Sequence, residues 1–106
     1  MTPAKPGVEL IAEERARQIH GEHWSASHDD QHRLDELARA AACYAIPHRL
    51  RNHIKGRRIQ GWPSKWAVSY WKPSPDDRIR ELVKAGALIA AEIDRLQRRS
   101  APGGGS

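Results

Sequence analysis

Two stretches of this chain carry residue types that could do chemistry, and the first is rich in histidine and acids. His28 and His32 lie four residues apart, so on a helix they would share one face. Asp30 and Glu36 could add carboxylate oxygens, and such a ligand set favours magnesium or manganese over structural zinc. The spacing matches no defined zinc signature, and the alternative is a polar loop whose aspartates cap the next helix. Metal binding by these four residues is therefore one of two open interpretations.

The second stretch, residues 47–73, is basic and aromatic. Residues 37–75 contain eight Lys or Arg and no acid. Such cations neutralise phosphate, and the faces of tryptophan and tyrosine stack on nucleobases. We therefore expect a positively charged pocket for a phosphate-bearing ligand, with charge from Lys84, Arg78, Arg80, Arg57 and Arg58 and stacking from Trp66, Trp71 and Tyr70. Two simpler interpretations stay open: a small tryptophan core in a chain without phenylalanine, or a solvated basic face.

Acids on the first two predicted helices form a third group. Glu13 and Glu14 of the first helix, with Glu9, would face Asp35 and Glu36 of the second. Acids on facing helices of a bundle can hold a divalent ion. More often they are solvated and pair with nearby arginines, as the i,i+4 spacing of Glu13 and Arg17 suggests.

These groups must be positioned by helices, of which the last, residues 74–98, is the most clearly marked. Ser74 is suited to the N-cap, Pro75 to the first helical position and Asp77 to a capping box. Its apolar residues recur every three or four positions and form one apolar seam: Ile79, Leu82, Gly86, Ile89, Ile93 and Leu96. We expect the basic, tryptophan-bearing connection to fold over this apolar seam and enclose the pocket.

Two further helices are predicted, at residues 8–20 and 33–46. The first is charged and amphipathic, with Val8, Ile11, Ala12 and Ile19 on its apolar face. The second is rich in alanine, and its small side chains predict a close crossing with residues 85–87 of the last helix. The fold class is therefore all-α: a small bundle of three to four helices with a long Trp/Arg-rich connection before the last one.

Length and composition limit the organisation. A chain of 106 residues forms one domain with a small core, which predicts a homo-oligomer. We expect a disordered leader at residues 1–7, the helical domain at 8–99 and a flexible tail at 100–106. The single cysteine, Cys43, excludes an intramolecular disulfide and fits a reducing compartment. No apolar run approaches the roughly 18–20 residues that span a bilayer, so we expect a cytoplasmic protein without a membrane partner.

Several motifs, in this order, resemble a family of small phage and prophage proteins of unsettled function. The resemblance spans residues 8–97 and rests on Glu14-x-x-x-Gln18, His28-Asp29-Asp30-x-His32, Glu36-Leu37-Ala38-x-Ala40-Ala41-x-x-Tyr44-Ala45, Trp71-Lys72-Pro73 and the run from Arg80 to Ile89. It implies a viral protein that acts in the cytoplasm of an infected bacterium.

More remotely, the acidic helices resemble the all-α nucleotide pyrophosphohydrolases of the MazG type. Those enzymes hold magnesium with Glu-x-x-Glu on one helix and Glu-x-x-Asp on another. Here Glu9 and Glu13 are four residues apart, and Glu81 is followed three residues later by Lys84 in place of an aspartate. A lysine at that position repels a metal ion and attracts a phosphate. The resemblance therefore implies holding a nucleotide rather than cleaving one.

Three functions follow as hypotheses. The first is non-catalytic binding of a phosphate-containing small molecule, without a cofactor. The most plausible ligand is a nucleotide or cyclic-nucleotide immune signal, which the protein would sequester as an anti-defence sponge. The second is a Mg²⁺-dependent nucleoside triphosphate pyrophosphohydrolase that uses Glu13, Glu14, Asp30 and Glu36. The third is a nucleic-acid or host-protein binding module, although the sequence has no recognised nucleic-acid-binding motif and nucleic acid is the less expected partner.

Overall fold

The computed structural model describes residues 4–21, 35–54 and 59–100, and within them it contains three α-helices: α1, Gly7–Gly21; α2, Glu36–Ala45; and α3, Arg78–Ser100. Two short 3₁₀ turns, His48–Leu50 and Val68–Tyr70, lie between α2 and α3, and an isolated antiparallel bridge joins His53 to Ile59. The described residues contain no β-strand, so the predicted all-α class is confirmed. None of the described helices is long and apolar enough to cross a membrane.

The N-terminus of α3 lies later in the chain than the sequence predicts. Asp77 is its cap, because its Oδ1 accepts a hydrogen bond from the Arg80 backbone N–H at 3.0 Å. Ser74, the predicted cap, instead begins a turn: its carbonyl accepts from the Asp77 N–H at 2.8 Å, and its own N–H donates to Glu81 Oε2 at 3.0 Å. The buried carboxylate of Glu81 therefore fixes the turn that precedes the helix.

The core lies where α2 crosses α3. Ala40 and Ala41 of α2 are buried in one cluster with Ala85 and Leu88 of α3. Small side chains at the crossing let the two backbones come close, as the alanine content of α2 predicts. Gly86, which was expected at the same crossing, faces α1 instead, since a Cβ built there would lie 2.4 Å from Cδ1 of Ile11.

The described residues of the connection leave the apolar seam of α3 exposed, so the prediction that the connection folds over this seam is wrong. Its large side chains are all exposed: Ile79, Leu82, Ile89, Ile93 and Leu96. The face of α3 that packs on α2 carries Glu81, Ala85 and Leu88. α2 therefore packs beside the apolar seam, on a face of α3 where Ala85 lets the two backbones come close and the carboxylate of Glu81 is fully paired.

α1 packs with only part of the predicted apolar face. Its buried residues are Glu14 and Gln18, whereas Val8 and Ala12 of the expected apolar face are exposed. Arg80 of α3 donates to Glu14 Oε1 at 2.7 Å and so joins the two helices. The contact between α1 and α3 therefore depends on an ion pair and on Ile11 rather than on a continuous apolar stripe.

The connection between α2 and α3 closes over an aromatic cluster: Tyr44, Trp62, Trp66 and Trp71. Tyr44, Trp62 and Trp71 are buried, and Trp66 is half-buried. The ring centroid of Tyr44 lies 4.7 Å from that of Trp71, and the centroid of Trp62 lies 5.6 Å from that of Trp66. The tryptophans thus form the small core that was one of the interpretations of the sequence.

Candidate functional site

A buried ion-pair network holds α3 against the C-terminal end of α2. Glu81 is fully buried, and its carboxylate lies 3.0 Å from Arg51 Nη1 and 3.4 Å from Arg78 Nη1. Arg51 Nε also donates to the Cys43 carbonyl at 3.1 Å, and Arg78 Nη1 to the Tyr44 carbonyl at 3.0 Å. These last-turn carbonyls lack helical N–H partners and carry the negative end of the helix dipole. The two arginines therefore cap α2, and Glu81 balances their charge.

The electrostatics of Glu81 fit this structural role. Burial alone would raise its pKa, but the hydrogen bonds from Arg51, from the Ser74 N–H and from Arg78 outweigh burial and hold the pKa below its ordinary value. The carboxylate is therefore ionised at neutral pH. Two predicted ligand residues are corrected as a result: Arg78 binds backbone carbonyls of α2, and Trp71 is buried with Arg51 5.0 Å above its ring.

A second set of charges lines an open cleft where α1, α3 and the connection meet. The cleft has a volume of about 210 Å³, and we call it the basic cleft; its lining comprises four cations, one carboxylate and four uncharged residues: Arg17, Lys72, Arg80, Lys84, Glu14, Gln18, Tyr44, Tyr70 and Leu88. One wall is fixed by the Tyr44 hydroxyl, which donates to the Tyr70 carbonyl at 3.2 Å and accepts from the Lys72 N–H at 3.0 Å.

Glu14 organises one side of the basic cleft. Arg17 donates to both of its carboxylate oxygens at 2.8 Å, Arg80 donates to Oε1 at 2.7 Å, and Gln18 Nε2 donates to Oε2 at 3.1 Å. Burial alone would raise the pKa of Glu14, but the two arginines hold it below its ordinary value. Glu14 therefore orients the two guanidinium groups and compensates only part of the positive charge.

Lys84 has a different environment from the two arginines. Its Nζ donates to the carbonyl of Lys72 at 3.0 Å and lies 5.4 Å from the ring centroid of Tyr44, so these contacts are to neutral groups. Burial lowers the pKa of Lys84 below its ordinary value, and Arg80, Arg17 and Lys72 lower it further against the opposing effect of Glu14. A half-buried ammonium group beside three other cations is a position at which an anion is stabilised.

The structure brings together only part of the predicted site. Lys84, Arg80 and Tyr70 line the basic cleft, and Tyr70 is exposed. Trp66 belongs to the aromatic cluster with Trp62. The predicted phosphate ligands Arg57 and Arg58 lie outside the described residues.

The predicted metal site is also largely outside the part of the chain that the structure describes. His28, Asp30 and His32 fall there, and Glu36 is buried on α2. The described residues contain no group of three or more histidine, cysteine, aspartate or glutamate side chains placed to hold a metal ion. Metal binding by the histidine-rich stretch therefore stays a prediction.

Sequence reasoning missed Arg17, Lys72 and Tyr44 as lining residues of the basic cleft. The i,i+4 rule pairs Arg17 with Glu13, but Arg17 binds Glu14 at i,i+3, and Glu13 pairs with Lys5 at 2.6 Å. The i,i+3 spacing of Glu14 and Arg17 was the sequence feature that could have predicted their ion pair.

Comparisons with protein-family models, with curated proteins and with solved structures find no match for this chain. The resemblance to phage proteins and to nucleotide pyrophosphohydrolases therefore stays a prediction.

Proposed function

We propose that this protein binds a phosphate-bearing small molecule in the basic cleft without transforming it. The observation that carries the proposal is Lys84, a half-buried ammonium group whose hydrogen bond goes to a backbone carbonyl and whose neighbours are Arg80, Arg17 and Lys72. An anion in the cleft would offset the cost of holding these charges together. Phosphate suits the arrangement, because arginine binds it through a planar fork and lysine through a compact point charge.

The size and lining of the basic cleft support a nucleotide as the first ligand class to test. At about 210 Å³ the cleft is smaller than the roughly 300–1,000 Å³ of pockets that enclose a whole drug-sized ligand. It would hold the phosphate end and leave the rest of the ligand at its mouth. Tyr70 lines the cleft and is exposed, so its ring offers a face on which a base can stack.

The biological form of the proposal rests on the sequence resemblance. In a phage protein, tight and non-catalytic binding of a nucleotide or cyclic nucleotide would remove that molecule from solution in the infected cell. Such a protein would act as a sponge for an immune signal of the host. This role requires binding and no catalysis. A cleft lined mostly by cations suits it, because cations bind phosphate and the role needs no carboxylates to hold a metal ion.

The pyrophosphohydrolase alternative has weaker support. It requires carboxylates that are free to bind Mg²⁺, and Glu14 is the carboxylate that lines the basic cleft within the described residues. Arg17 and Arg80 both bind it, and a cation in their place would have to displace them. Glu13, another residue of that hypothesis, is exposed and pairs with Lys5.

Calorimetric titration with inorganic phosphate and with mono-, di-, tri- and cyclic nucleotides tests the proposal. We expect at least one of them to bind, and Lys84→Met to weaken that binding by about 10- to 100-fold, since a charged hydrogen bond contributes about 1.5–3 kcal/mol. Lys65→Met is the matched control, because Lys65 is an exposed lysine that does not line the cleft. Absence of heat with every compound, or equal losses in both variants, contradicts the proposal.

The same samples separate the alternatives. Release of pyrophosphate from a nucleoside triphosphate, dependent on Mg²⁺ and lost in Glu36→Ala, supports the enzyme. A salt-dependent gel shift with generic DNA, without binding of any small molecule, supports the nucleic-acid module.

A further inference from the structure

The exposed apolar seam of α3 has the spacing of a coiled-coil interface. Its six positions, 79, 82, 86, 89, 93 and 96, follow one another at intervals of three, four, three, four and three residues. This is the a/d repeat of a heptad, the pattern by which helices pack side by side. The seam runs over about 27 Å of helix at 1.5 Å per residue.

The five large side chains of the seam are exposed. The exposed fractions are 66% for Ile79, 46% for Leu82, 47% for Ile89, 49% for Ile93 and 43% for Leu96. At the glycine position the gap is filled from α1, because the Ile11 side chain occupies the space into which a Cβ of Gly86 would project. Single exposed aliphatic residues are ordinary on protein surfaces, but a continuous row at heptad spacing marks an interface.

We propose that the apolar seam pairs two copies of this chain as an antiparallel helix pair. The series of intervals between the seam positions reads the same in both directions, so the seam of a reversed copy matches it position by position. Ile79 then lies opposite Leu96, and Leu82 opposite Ile93. Gly86, which Ile11 covers, lies opposite Ile89. Every large apolar side chain then meets an apolar surface of the second copy.

Charge decides the direction of pairing. Asp76 and Asp77 precede α3, and Arg99 lies at its other end; Asp76 and Arg99 are both exposed. In the antiparallel arrangement Asp76 falls opposite Arg99 of the second copy at both ends of the pair, and the two helix dipoles oppose each other. A parallel pair would bring like charges together at each end.

The area fits a weak, reversible dimer. A strip about 27 Å long and one helix diameter of about 10–12 Å wide on each copy comes to about 600 Å² in total, which is in the range of transient interfaces rather than of permanent ones. A chain of this size also gains stability from extending its small core across two copies.

Sedimentation of the full chain tests the pairing. We expect a concentration-dependent dimer whose dissociation constant rises at least about 100-fold in Ile89→Glu, because a buried carboxylate has no partner in the seam. Leu50→Glu is the matched control and keeps the dimer, since Leu50 is an exposed aliphatic residue outside the seam. A monomeric wild-type chain at all concentrations, or an unchanged dimer in Ile89→Glu with native helix content, overturns the proposal.

Disulfide trapping tests the direction, and it does not depend on whether the glutamate variant folds. The native Cys43 is buried and does not compete. In the antiparallel pair, position 79 of one copy adjoins position 96 of the other, whereas the two positions 79 lie about 26 Å apart. We expect a mixture of Ile79→Cys and Leu96→Cys chains to form a mixed disulfide and neither variant to cross-link with itself. Self-linking of each variant alone overturns the antiparallel arrangement.

The pairing stands apart from the proposed function. Neither the substituted positions nor Asp76 and Arg99 line the basic cleft. Loss of the dimer with phosphate binding retained, or the reverse, therefore assigns failure to one proposal without touching the other.

Discussion

Glu81 is the residue on which the packing of α2 against α3 depends most. Its fully buried carboxylate forms an ion pair with Arg51 and accepts hydrogen bonds from Arg78 and the Ser74 N–H. The two arginines in turn bind the last carbonyls of α2. A charge at this depth is stable only because each partner is also hydrogen-bonded. Loss of the carboxylate would leave Arg51 buried without a counter-charge.

We therefore predict that Glu81→Gln lowers the free energy of unfolding by about 3–5 kcal/mol, the range for breaking one partner of a buried ion pair. Glu13→Gln serves as the comparison, because the exposed pair of Glu13 with Lys5 contributes about 1 kcal/mol or less. Urea unfolding of both variants measures the difference. Equal effects of the two substitutions would show that the buried network is not a main source of stability.

The same carboxylates predict an acid-sensitive fold. The folded-state pKa values of Glu14 and Glu81 lie below the ordinary value of 4.5, so their contribution is complete above about that pH and is lost as the pH falls through the folded-state values. The expected loss is at most about 1.4 kcal/mol per pH unit for each carboxylate.

Urea midpoints measured between about pH 6 and pH 3 check this prediction. The wild-type midpoint should fall mainly below about pH 4.5, and Glu81→Gln should show a shallower fall because it lacks one of the two carboxylates whose pKa is lowered by folding. A flat profile across this range contradicts the assignment of both carboxylates as buried acceptors.

At the scale of elements, α1 is attached to α3 through the contact of Ile11 with Gly86. A Cβ on Gly86 would overlap the Ile11 side chain, with Cγ1 at 2.7 Å, so either that side chain or α1 itself must shift to admit it. Glycine inside a helix is otherwise unfavourable by about 1 kcal/mol relative to alanine. The close approach of α1 therefore explains why glycine stands in the middle of α3.

We predict that Gly86→Ala destabilises the wild-type chain by about 1–3 kcal/mol through overpacking and stabilises an Ile11→Ala background by about 1 kcal/mol through helix propensity. A double-mutant cycle by urea unfolding, at concentrations at which the chain is monomeric, measures both steps. An effect of the same sign in both backgrounds would show that Ile11 and Gly86 are not coupled.

The elements also show what periodicity can and cannot predict. Heptad spacing predicts that α3 has an apolar seam, but it does not say which neighbour covers that seam. α2 packs on a neighbouring face of α3, where Ala85 and Leu88 are buried against its alanines, and this leaves the apolar seam exposed. The burial of Glu81 could not be predicted from the sequence either. An acidic side chain is expected to be exposed unless its arginine partners are known, and the fold brings those partners together.

For the whole molecule, the uneven distribution of charge predicted a basic surface but not its position. Lys84, Arg80 and Tyr70 were predicted and do line the basic cleft. Arg17 comes from α1, whereas Lys72 lies two residues after Tyr70 in the connection, so only the fold brings Arg17 to the cleft. The predicted tryptophan platform failed for Trp71 because Tyr44 and Arg51 pack on it. The sequence thus indicates which types of side chain could bind a phosphate-bearing ligand. Which of them lie together in one cleft is known only from the structure.

The most direct test of the central claim is an NMR titration of the Lys84 side chain, assigned by its absence in Lys84→Met. Its pKa is measured without ligand, with inorganic phosphate and with the tightest-binding nucleotide of the calorimetric panel. We predict that the pKa of Lys84 is low in the free protein and rises on binding, because a bound anion favours the protonated ammonium against Arg80, Arg17 and Lys72. A pKa that is the same with and without these anions would contradict phosphate binding in the basic cleft.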